Sequence, residues 1–272
     1  MQRGQLFLNY QPILNGVTGR PSGVEALLRW KHPQRGVVSP DRFIPLADES
    51  GLIVEIGAWV MREACSQGRL WHEQGMTDLS MSVNVSAVQF AQPRLLETVR
   101  TTLEDTGFPP DKLVLEITES VLMKDAETTI GMLKALKNMG VRISMDDFGT
   151  GYSSLSYLKQ MPVSEMKIDR SFVMNLVENP NDEIIVRSTI ELAHNMGLKV
   201  TAEGVETEAV LERLRELGCD LAQGYLISKP IPVEALEKWF RDSHWALLSV
   251  ADPGIPADND EVAAEPEHAG AL

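Results

Sequence analysis

Short apolar runs alternate along the chain with longer segments in which apolar residues recur at helical spacing. The short runs predict strands at residues 6–10, 24–29, 81–85, 113–117, 142–145, 165–168, 199–202 and 221–227. The longer segments predict helices at residues 53–73, 95–103, 126–139, 183–196 and 208–217. A glycine closes each helix, as a helix C-terminus prefers: Gly75, Gly107, Gly140, Gly197 and Gly218. Strands and helices that alternate in this way predict a parallel sheet with helical crossovers.

The first two strands depart from this pattern. Between Ile13 and Val24 the chain is dense in turn residues and has no helical segment. A parallel crossover needs about a dozen residues and usually a helix, so these two strands are better explained as an antiparallel hairpin. We therefore predict an α/β fold, a TIM-like (β/α)8 barrel with an antiparallel first strand. An open doubly wound sheet is the alternative. The barrel would occupy residues 1–245, followed by an acidic, disordered tail at 246–272.

Polar side chains end most of the predicted strands. The acidic and amide residues in these positions are Glu25, Asn84, Glu116, Asp146, Asp147 and Glu203, and Lys167 ends another strand. Any one of them could be a cap or turn residue. Six together with a lysine instead indicate a site, because the chemistry of such barrels lies at the C-terminal strand ends. Oxygen ligands suit hard divalent cations, and metals of this kind can assist cleavage of a phosphate ester.

Several of these residues have a second interpretation. Glu25 alternates along its strand toward Arg29, so the two could form a buried ion pair instead of a metal site. Lys167 could only balance charge, or it could hold a hydroxide or a phosphate oxygen. The adjacent acids Asp146 and Asp147 must face different ways. Residues 149–151 do not form a nucleotide P-loop, because no Gly-Lys-Ser/Thr sequence follows them.

The charge and the hydropathy exclude several classes of protein. The net charge of −14 argues against binding of duplex nucleic acid, which relies on a basic surface. Part of this charge comes from the tail, which has no Lys or Arg between residues 252 and 272. No apolar run approaches the roughly 20 residues of a membrane span, and no signal-like stretch follows Met1. We expect a cytoplasmic domain without membrane contact of its own, which could belong to a larger, membrane-anchored protein.

A series of motifs in a fixed order carries a family resemblance. The motifs are Tyr10-Gln11-Pro12, Glu25-Ala26-Leu27, Asn84-Val85-Ser86, Glu116-Ile117-Thr118-Glu119, Asp146-Asp147-Phe148-Gly149-Thr150-Gly151-Tyr152, Lys167-Ile168-Asp169, Glu203-Gly204-Val205-Glu206 and Gln223-Gly224-Tyr225 with Lys229-Pro230. Together they resemble the EAL domain, a cyclic-di-GMP-specific phosphodiesterase family, over about residues 5–240. A lone Glu-Ala-Leu would mean little, since it is common in helices.

The resemblance implies an activity and a cofactor. It implies hydrolysis of cyclic-di-GMP, a bacterial second messenger, to linear 5′-pGpG with Mg²⁺ or Mn²⁺, two ions per active site. It assigns metal binding to Glu25, Asn84, Glu116, Asp146, Asp147 and Glu203. It assigns catalysis to Glu203 as general base and Lys167 as the residue that orients water, together with Glu25 and Asp146.

The resemblance also implies the substrate contacts and an assembly. It assigns the dinucleotide to Gln11, Leu28, Arg29, Asn84, Gln223, Tyr225 and Pro230. Glu119 would anchor the loop at residues 148–152, which in this family couples metal binding to dimerisation, so we expect a homodimer. Glu206 would act as a nearby second acid. A catalytically silent cyclic-di-GMP receptor or a protein-interaction module is the alternative function.

Overall fold

The computed structural model describes residues 4–122, 126–149 and 158–247. The predicted tail from residue 248 onward, and residues 150–152 of the predicted loop, lie outside the described residues.

Within the described residues, nine strands form one sheet, and eight of them close into a barrel. The strands are β1 Leu6–Asn15, β2 Pro21–His32, β3 Gly36–Val38, β4 Ser80–Asn84, β5 Leu113–Thr118, β6 Arg142–Phe148, β7 Glu165–Ile168, β8 Lys199–Ala202 and β9 Leu221–Ala222. The order around the ring is β1, β9, β8, β7, β6, β5, β4 and β2, and β1 pairs with β2 to close it. The short β3 extends β2 as a hairpin outside the ring.

Strand β1 runs antiparallel to both of its neighbours, β2 and β9. All other neighbouring strands of the ring are parallel. The TIM-like barrel with an antiparallel first strand is thus confirmed, and the open doubly wound sheet is wrong. The β1–β2 register places Gln11 directly opposite Glu25, so these two predicted site residues are neighbours in the sheet.

Helices cover the outside of the barrel. They are α1 Pro40–Glu49, α2 Ile53–Glu73, α3 Ala87–Phe90, α4 Leu95–Thr106, α5 Glu119–Leu122, α6 Ala126–Asn138, α7 Arg170–Val173, α8 Pro180–Asn195, α9 Glu208–Glu216, α10 Val233–Asp242 and α11 His244–Leu247. A short 3-10 helix precedes β5 at Pro110–Lys112. The glycines after the predicted helices have left-handed backbones, for example φ 64° at Gly107.

Two differences from the predicted elements have local causes. Strand β9 ends at Ala222 instead of residue 227, because the chain turns at Gly224 and packs against the backbone of Val205. A Cβ atom at Gly224 would lie 2.1 Å from the Val205 carbonyl oxygen, so only glycine fits there. Helix α1 was not predicted because Pro45 interrupts its pattern.

The two faces of the barrel strands differ in polarity. Apolar side chains such as Leu115, Met166 and Val200 are buried between the strands and the helices. Inside the barrel, Thr201 donates a hydrogen bond to Glu165 at 2.7 Å. Two residues further along β7, on the same face, lies Lys167, which is fully buried. The interior is therefore polar, and this polar layer forms the floor of the site.

Candidate active site

A polar cavity of about 420 Å³ opens at the C-terminal ends of the parallel strands. Its lining residues are Gln11, Glu25, Leu27, Asp41, Asn84, Asp146, Lys167, Arg170, Glu203, Gly204, Glu206, Gln223, Gly224 and Tyr225. Nine of the residues predicted from the sequence are among them, although they come from segments spread over more than two hundred positions. The parallel strands bring them together because their C-terminal ends meet at one mouth of the barrel.

Lys167 lies at the centre of this cavity and contacts carboxylates from four other strands or strand ends. Its Nζ atom is 2.6 Å from Glu203 Oε1 and 2.7 Å from Glu116 Oε2. Carboxylate oxygens of Glu25 and Asp146 each lie 3.8 Å away. Burial alone would lower the pKa of Lys167, but the surrounding acids, led by Asp146 and Glu116, raise it well above its usual value. The lysine is therefore a fixed positive charge.

Glu116 is the deepest acid of the group. Burial and then the charge of Glu25 raise its pKa well above the usual value, although the ammonium group of Lys167 opposes this. Its Oε2 accepts a hydrogen bond from Lys167, whereas its Oε1 is buried and has no hydrogen-bond partner within the described part of the chain. A buried carboxylate oxygen without a donor is unusual, since such groups are normally satisfied.

Glu25 is held by two side-chain amides. Asn84 Nδ2 donates to Glu25 Oε1 at 2.6 Å, and Gln223 Nε2 donates to Glu25 Oε2 at 2.7 Å. Gln223 also donates to Gln11 Oε1 at 3.0 Å, and Gln11 in turn donates to the Ser228 carbonyl at 2.9 Å. Burial raises the pKa of Glu25, but Lys167 and the two amides outweigh it, so the net shift is downward. Glu25 is thus ionised and oriented.

Arg29 does not form the ion pair with Glu25 that the sequence left open. Instead its guanidinium donates to the Leu28 carbonyl at 2.9 Å, while Glu25 faces Lys167. Burial lowers the pKa of Arg29, partly offset by the nearby charges of Glu25 and Tyr225. Glu25 therefore belongs to the polar cluster of the barrel interior.

Glu203 directly follows β8 and is the Lys167 partner that lies nearest to the cavity opening. Burial, opposed by Lys167 and reinforced by Asp146, raises the pKa of Glu203 to about 7. A carboxylate with a pKa near neutrality can accept a proton and release it again, as a general base must. Its side chain keeps 22% exposure, so it remains accessible from the cavity.

The adjacent acids Asp146 and Asp147 lie on an irregularity of β6. The register of β6 against β7 shifts between Met145 and Phe148, and Asp147 has φ 57°, the sole left-handed non-glycine backbone within residues 4–122, 126–149 and 158–247. Burial and then the charge of Asp146 raise the pKa of Asp147. The bulge lets the two carboxylates diverge, with Asp146 lining the cavity beside Lys167.

Glu119 begins the helix after β5 and is buried. Its Oε2 accepts a hydrogen bond from the Gly149 backbone amide at 3.1 Å. This bond joins the end of β5 to the start of the loop that follows β6. The proposed coupling of that loop to metal binding and dimerisation stays a prediction.

Some predicted substrate contacts lie outside the cavity lining. The side chain of Leu28 is buried in the hydrophobic core, and its neighbour Leu27 lines the cavity in its place. Pro230 accepts a hydrogen bond from Asn9 through its carbonyl at 3.1 Å. Tyr225, by contrast, does line the cavity; it is 56% exposed at the rim, with Lys229 Nζ 5.3 Å from the centre of its ring. The roles of these residues in substrate binding stay predictions.

Two charged lining residues, Asp41 and Arg170, were not identified from the sequence. Asp41 lies in the first turn of a helix that was not predicted, and its carboxylate accepts a hydrogen bond from Ser39 at 3.3 Å. Arg170 is the first residue of α7 and stands next to the Lys167-Ile168-Asp169 motif. The position of Arg170 immediately after a motif at a strand end was a usable signal.

The oxygen atoms of this cavity fit a hard divalent cation by their chemistry. They are carboxylate and amide oxygens, and the partnerless Glu116 Oε1 is the atom that a cation would satisfy. Within the described residues, however, no group of three or more Asp, Glu, His or Cys side chains has the arrangement of a metal site. In the described structure the ammonium group of Lys167 lies among these acids, 2.7 Å from Glu116 and 2.6 Å from Glu203.

A second cavity, of about 810 Å³, is apolar. It lies between the start of β1 and helices α1 and α2, and is lined by Trp30, Phe43, Leu46, Leu52 and Ile56 among others. Among the described residues that line it, Glu55 is the single charged side chain. Both cysteines, Cys65 and Cys219, are free and buried. Within the described ranges, no helix has both the length and the hydropathy needed to cross a bilayer.

The fold and the polar cavity define a TIM-like barrel with a charged site at the C-terminal mouth. The EAL domain family model matches residues 1–230, so the chain belongs to the EAL domain family, as the motifs indicated. It is 50% identical over 236 residues to the bifunctional diguanylate cyclase/cyclic di-GMP phosphodiesterase MucR of Pseudomonas aeruginosa, covering 87% of this chain and 34% of that protein. It is 45% identical over 237 residues to the cyclic di-GMP phosphodiesterase NbdA of the same organism, covering 87% and 30%.

A solved structure agrees with this assignment. The PaMucR phosphodiesterase in complex with c-di-GMP superposes with a TM-score of 0.84 at 50% sequence identity, covering 86% of this chain and 95% of that one. The chain spans about a third of the length of the two curated relatives.

Proposed function

We propose that this domain hydrolyses one phosphodiester bond of cyclic-di-GMP to give linear 5′-pGpG. The observation that carries the proposal is the arrangement at Lys167, where a buried ammonium group contacts Glu116 and Glu203 at the floor of an open polar cavity. Relatives named as cyclic di-GMP phosphodiesterases, at 50% and 45% identity, support the choice of substrate.

Mg²⁺ or Mn²⁺, two ions per site, is the cofactor that we propose. Its ligands would be Glu25, Asn84, Glu116, Asp146, Asp147 and Glu203. When bound, such ions supply positive charge that polarises a phosphodiester and makes a water molecule more acidic. The partnerless oxygen of Glu116 supports this proposal, and binding would require the Lys167 ammonium to give up part of its contacts.

The residues of the chain would act as follows. Glu203, with a pKa of about 7, accepts the proton of the attacking water. Lys167 orients that water and stabilises the charge that develops on the phosphate oxygens. The dinucleotide would contact Gln11, Gln223 and Tyr225 along the rim, with Leu28, Arg29, Asn84 and Pro230 completing the predicted binding set. Glu206 lines the same rim and would remain a nearby second acid.

The test is incubation of the purified domain with cyclic-di-GMP and Mg²⁺ or Mn²⁺, with products separated by chromatography. EDTA and Glu25→Ala are the controls. Metal-dependent appearance of pGpG, absent from both controls, would support the phosphodiesterase. Tight binding by calorimetry without product would instead place this domain among silent receptors. If the domain neither binds cyclic-di-GMP nor forms product, the protein-interaction module is the remaining alternative.

The homodimer and the cytoplasmic location belong to the same proposal. Glu119 and its bond to Gly149 support the expectation that the loop after β6 is tied to the site. Sedimentation of the domain with and without Mg²⁺ would test the dimer. Cell fractionation of the full-length parent protein would test the location.

A further inference from the structure

The lining of the polar cavity carries an excess of negative charge that the proposed substrate must overcome. Its acids are Glu25, Asp41, Asp146, Glu203 and Glu206, whereas its cations are Lys167 and Arg170. Cyclic-di-GMP carries two phosphodiester groups, each with one negative charge. While one phosphate lies over the Lys167 cluster, the other must lie elsewhere in a cavity with these walls. The proposed metal ions would lie at that cluster, so the second phosphate needs a positive charge of its own.

Arg170 is the cation available for this. Lys167 is already engaged with Glu116 and Glu203. Arg170, by contrast, is exposed, and among the described residues the structure gives it no acidic partner and no side-chain hydrogen bond. An arginine without a partner on the wall of an acidic cavity is suited to an anionic ligand, because its planar guanidinium can donate two hydrogen bonds to a phosphate.

The position of Arg170 is fixed by the neighbouring loop. Gly204, beside Glu203, has φ 73°, and a Cβ atom there would lie only 2.5 Å from the Arg170 Cβ atom. Only glycine allows the start of α7 to pack this closely against the loop that carries Glu203 and Glu206. The base of the Arg170 side chain is thereby held at the cavity wall.

The barrel also places Arg170 opposite Arg29. Arg29 lies on β2, and Arg170 follows β7, which is four strands away from β2 in either direction around the eight-stranded ring. Arg29 is not among the lining residues, but the strands that carry the two arginines end on opposite sides of the mouth, an arrangement that suits a ring-shaped ligand with two phosphates.

The geometry points to Arg170 as a substrate-binding residue for the phosphate of cyclic-di-GMP that is not being cleaved. This inference rests on the proposed function. Because the contact is made away from the reacting phosphate, it is equally strong before and during the reaction, and it should lower KM without raising kcat.

The experiment compares Arg170→Gln and Arg170→Lys with the wild-type domain. For cyclic-di-GMP we expect Arg170→Gln to raise KM about tenfold with kcat nearly unchanged. Arg170→Lys should restore most of the affinity, because a point charge still attracts a phosphate. Arg241→Gln, at an exposed position on α10, is the matched control and should change nothing.

A second substrate tests whether the site itself is intact. Bis(p-nitrophenyl) phosphate has one phosphodiester group and no second phosphate, so Arg170→Gln should hydrolyse it at the wild-type rate. A drop in kcat with both substrates would overturn the inference, as would an unchanged KM for cyclic-di-GMP. If Arg170→Lys were as defective as Arg170→Gln, a contact with a guanine base would replace the phosphate contact.

The proposed function can fail separately from this inference. If the wild-type domain binds cyclic-di-GMP without cleaving it, the same variants are compared by Kd, with the same expected tenfold change. If the wild type is active and Arg170→Gln is normal, the inference alone is overturned. If the wild type neither binds nor cleaves the dinucleotide, both are overturned.

Discussion

Two ion clusters of nearly identical geometry occupy opposite environments in this protein. Lys167 lies 2.6 Å from Glu203 and 2.7 Å from Glu116, with 1% of its side chain exposed. On helix α4, Arg100 lies 2.6 Å from Glu97 and 2.8 Å from Glu104, with 49% of its side chain exposed. The two shortest N–O distances of each cluster agree to within 0.1 Å, so burial is the main difference between the two clusters.

Short distances alone do not tell how much an ion pair contributes to stability. Water and salt screen the exposed cluster, and pairs of this kind contribute little to stability. The buried cluster has lost its solvation, and a buried ion pair is weak evidence for a stabilising role. Because burying these charges costs free energy, we infer that the buried cluster serves the function of the protein. The following predictions test this inference.

The largest effect is expected from Lys167→Met. Removal of the ammonium leaves several buried acids without a counter-charge, which should destabilise the metal-free domain by about 3–5 kcal/mol. Activity toward cyclic-di-GMP should fall about a hundredfold or more, since a preorganised positive charge is lost. The measurements are urea unfolding in EDTA and product formation with Mg²⁺.

The matched control for this change is Lys199→Met, an exposed lysine at the start of β8. It makes the same chemical change where solvent replaces the lost charge. A Lys167→Met domain as stable as Lys199→Met would show that the buried cluster is not held together by the lysine. Normal turnover by Lys167→Met would remove it from the proposed mechanism.

The next effect concerns Glu203→Gln. If Glu203 is the general base, turnover should fall about 10²- to 10⁴-fold while the affinity for cyclic-di-GMP is retained. Steady-state kinetics and calorimetry on the same preparation provide the two readouts. Glu212→Gln on α9 is an exposed control and should behave as wild type. Equal loss of binding and turnover would make Glu203 chiefly a metal ligand.

A smaller effect should appear in the pH dependence of stability of the metal-free domain. The folded-state pKa of Glu203 is about 7, above its usual 4.5, so the folded protein binds the proton more tightly. The stability contributed by that proton is present below pH 4.5 and is lost as the pH rises toward 7. The glutamine side chain of Glu203→Gln does not titrate, so this variant should not lose stability in this way as the pH rises.

The difference in free energy of unfolding between wild type and Glu203→Gln, measured in EDTA, should therefore depend on pH. From pH 5.5 to pH 8, wild type should lose on the order of 1–2 kcal/mol relative to Glu203→Gln. A constant difference across this range would show that Glu203 is already ionised in the folded state. An opposite trend would contradict the burial that raises its pKa.

The fold and most of the cavity could be predicted from the sequence, because both depend on local patterns. The hairpin followed from the short, turn-rich connection before Val24, and the polar residues followed from their positions at strand ends. The partners of those residues could not be predicted. That Gln223 bonds to Glu25, 198 positions away, depends on the closure of the barrel. Arg170 follows a motif directly, but its place on the cavity wall could not be predicted because it depends on packing against Gly204 in another loop.

The smallest effect is expected at the exposed cluster. Arg100→Ala removes two ion pairs at once, yet the charges lie in water, so the unfolding midpoint should not shift beyond experimental error. Thermal unfolding at low and high salt is the measurement, since screening would erase any small contribution that exists at low salt. A marked loss of stability that persists in high salt would mean that α4 depends on Arg100 for more than charge. In that event the contrast with Lys167 could not be attributed to burial alone.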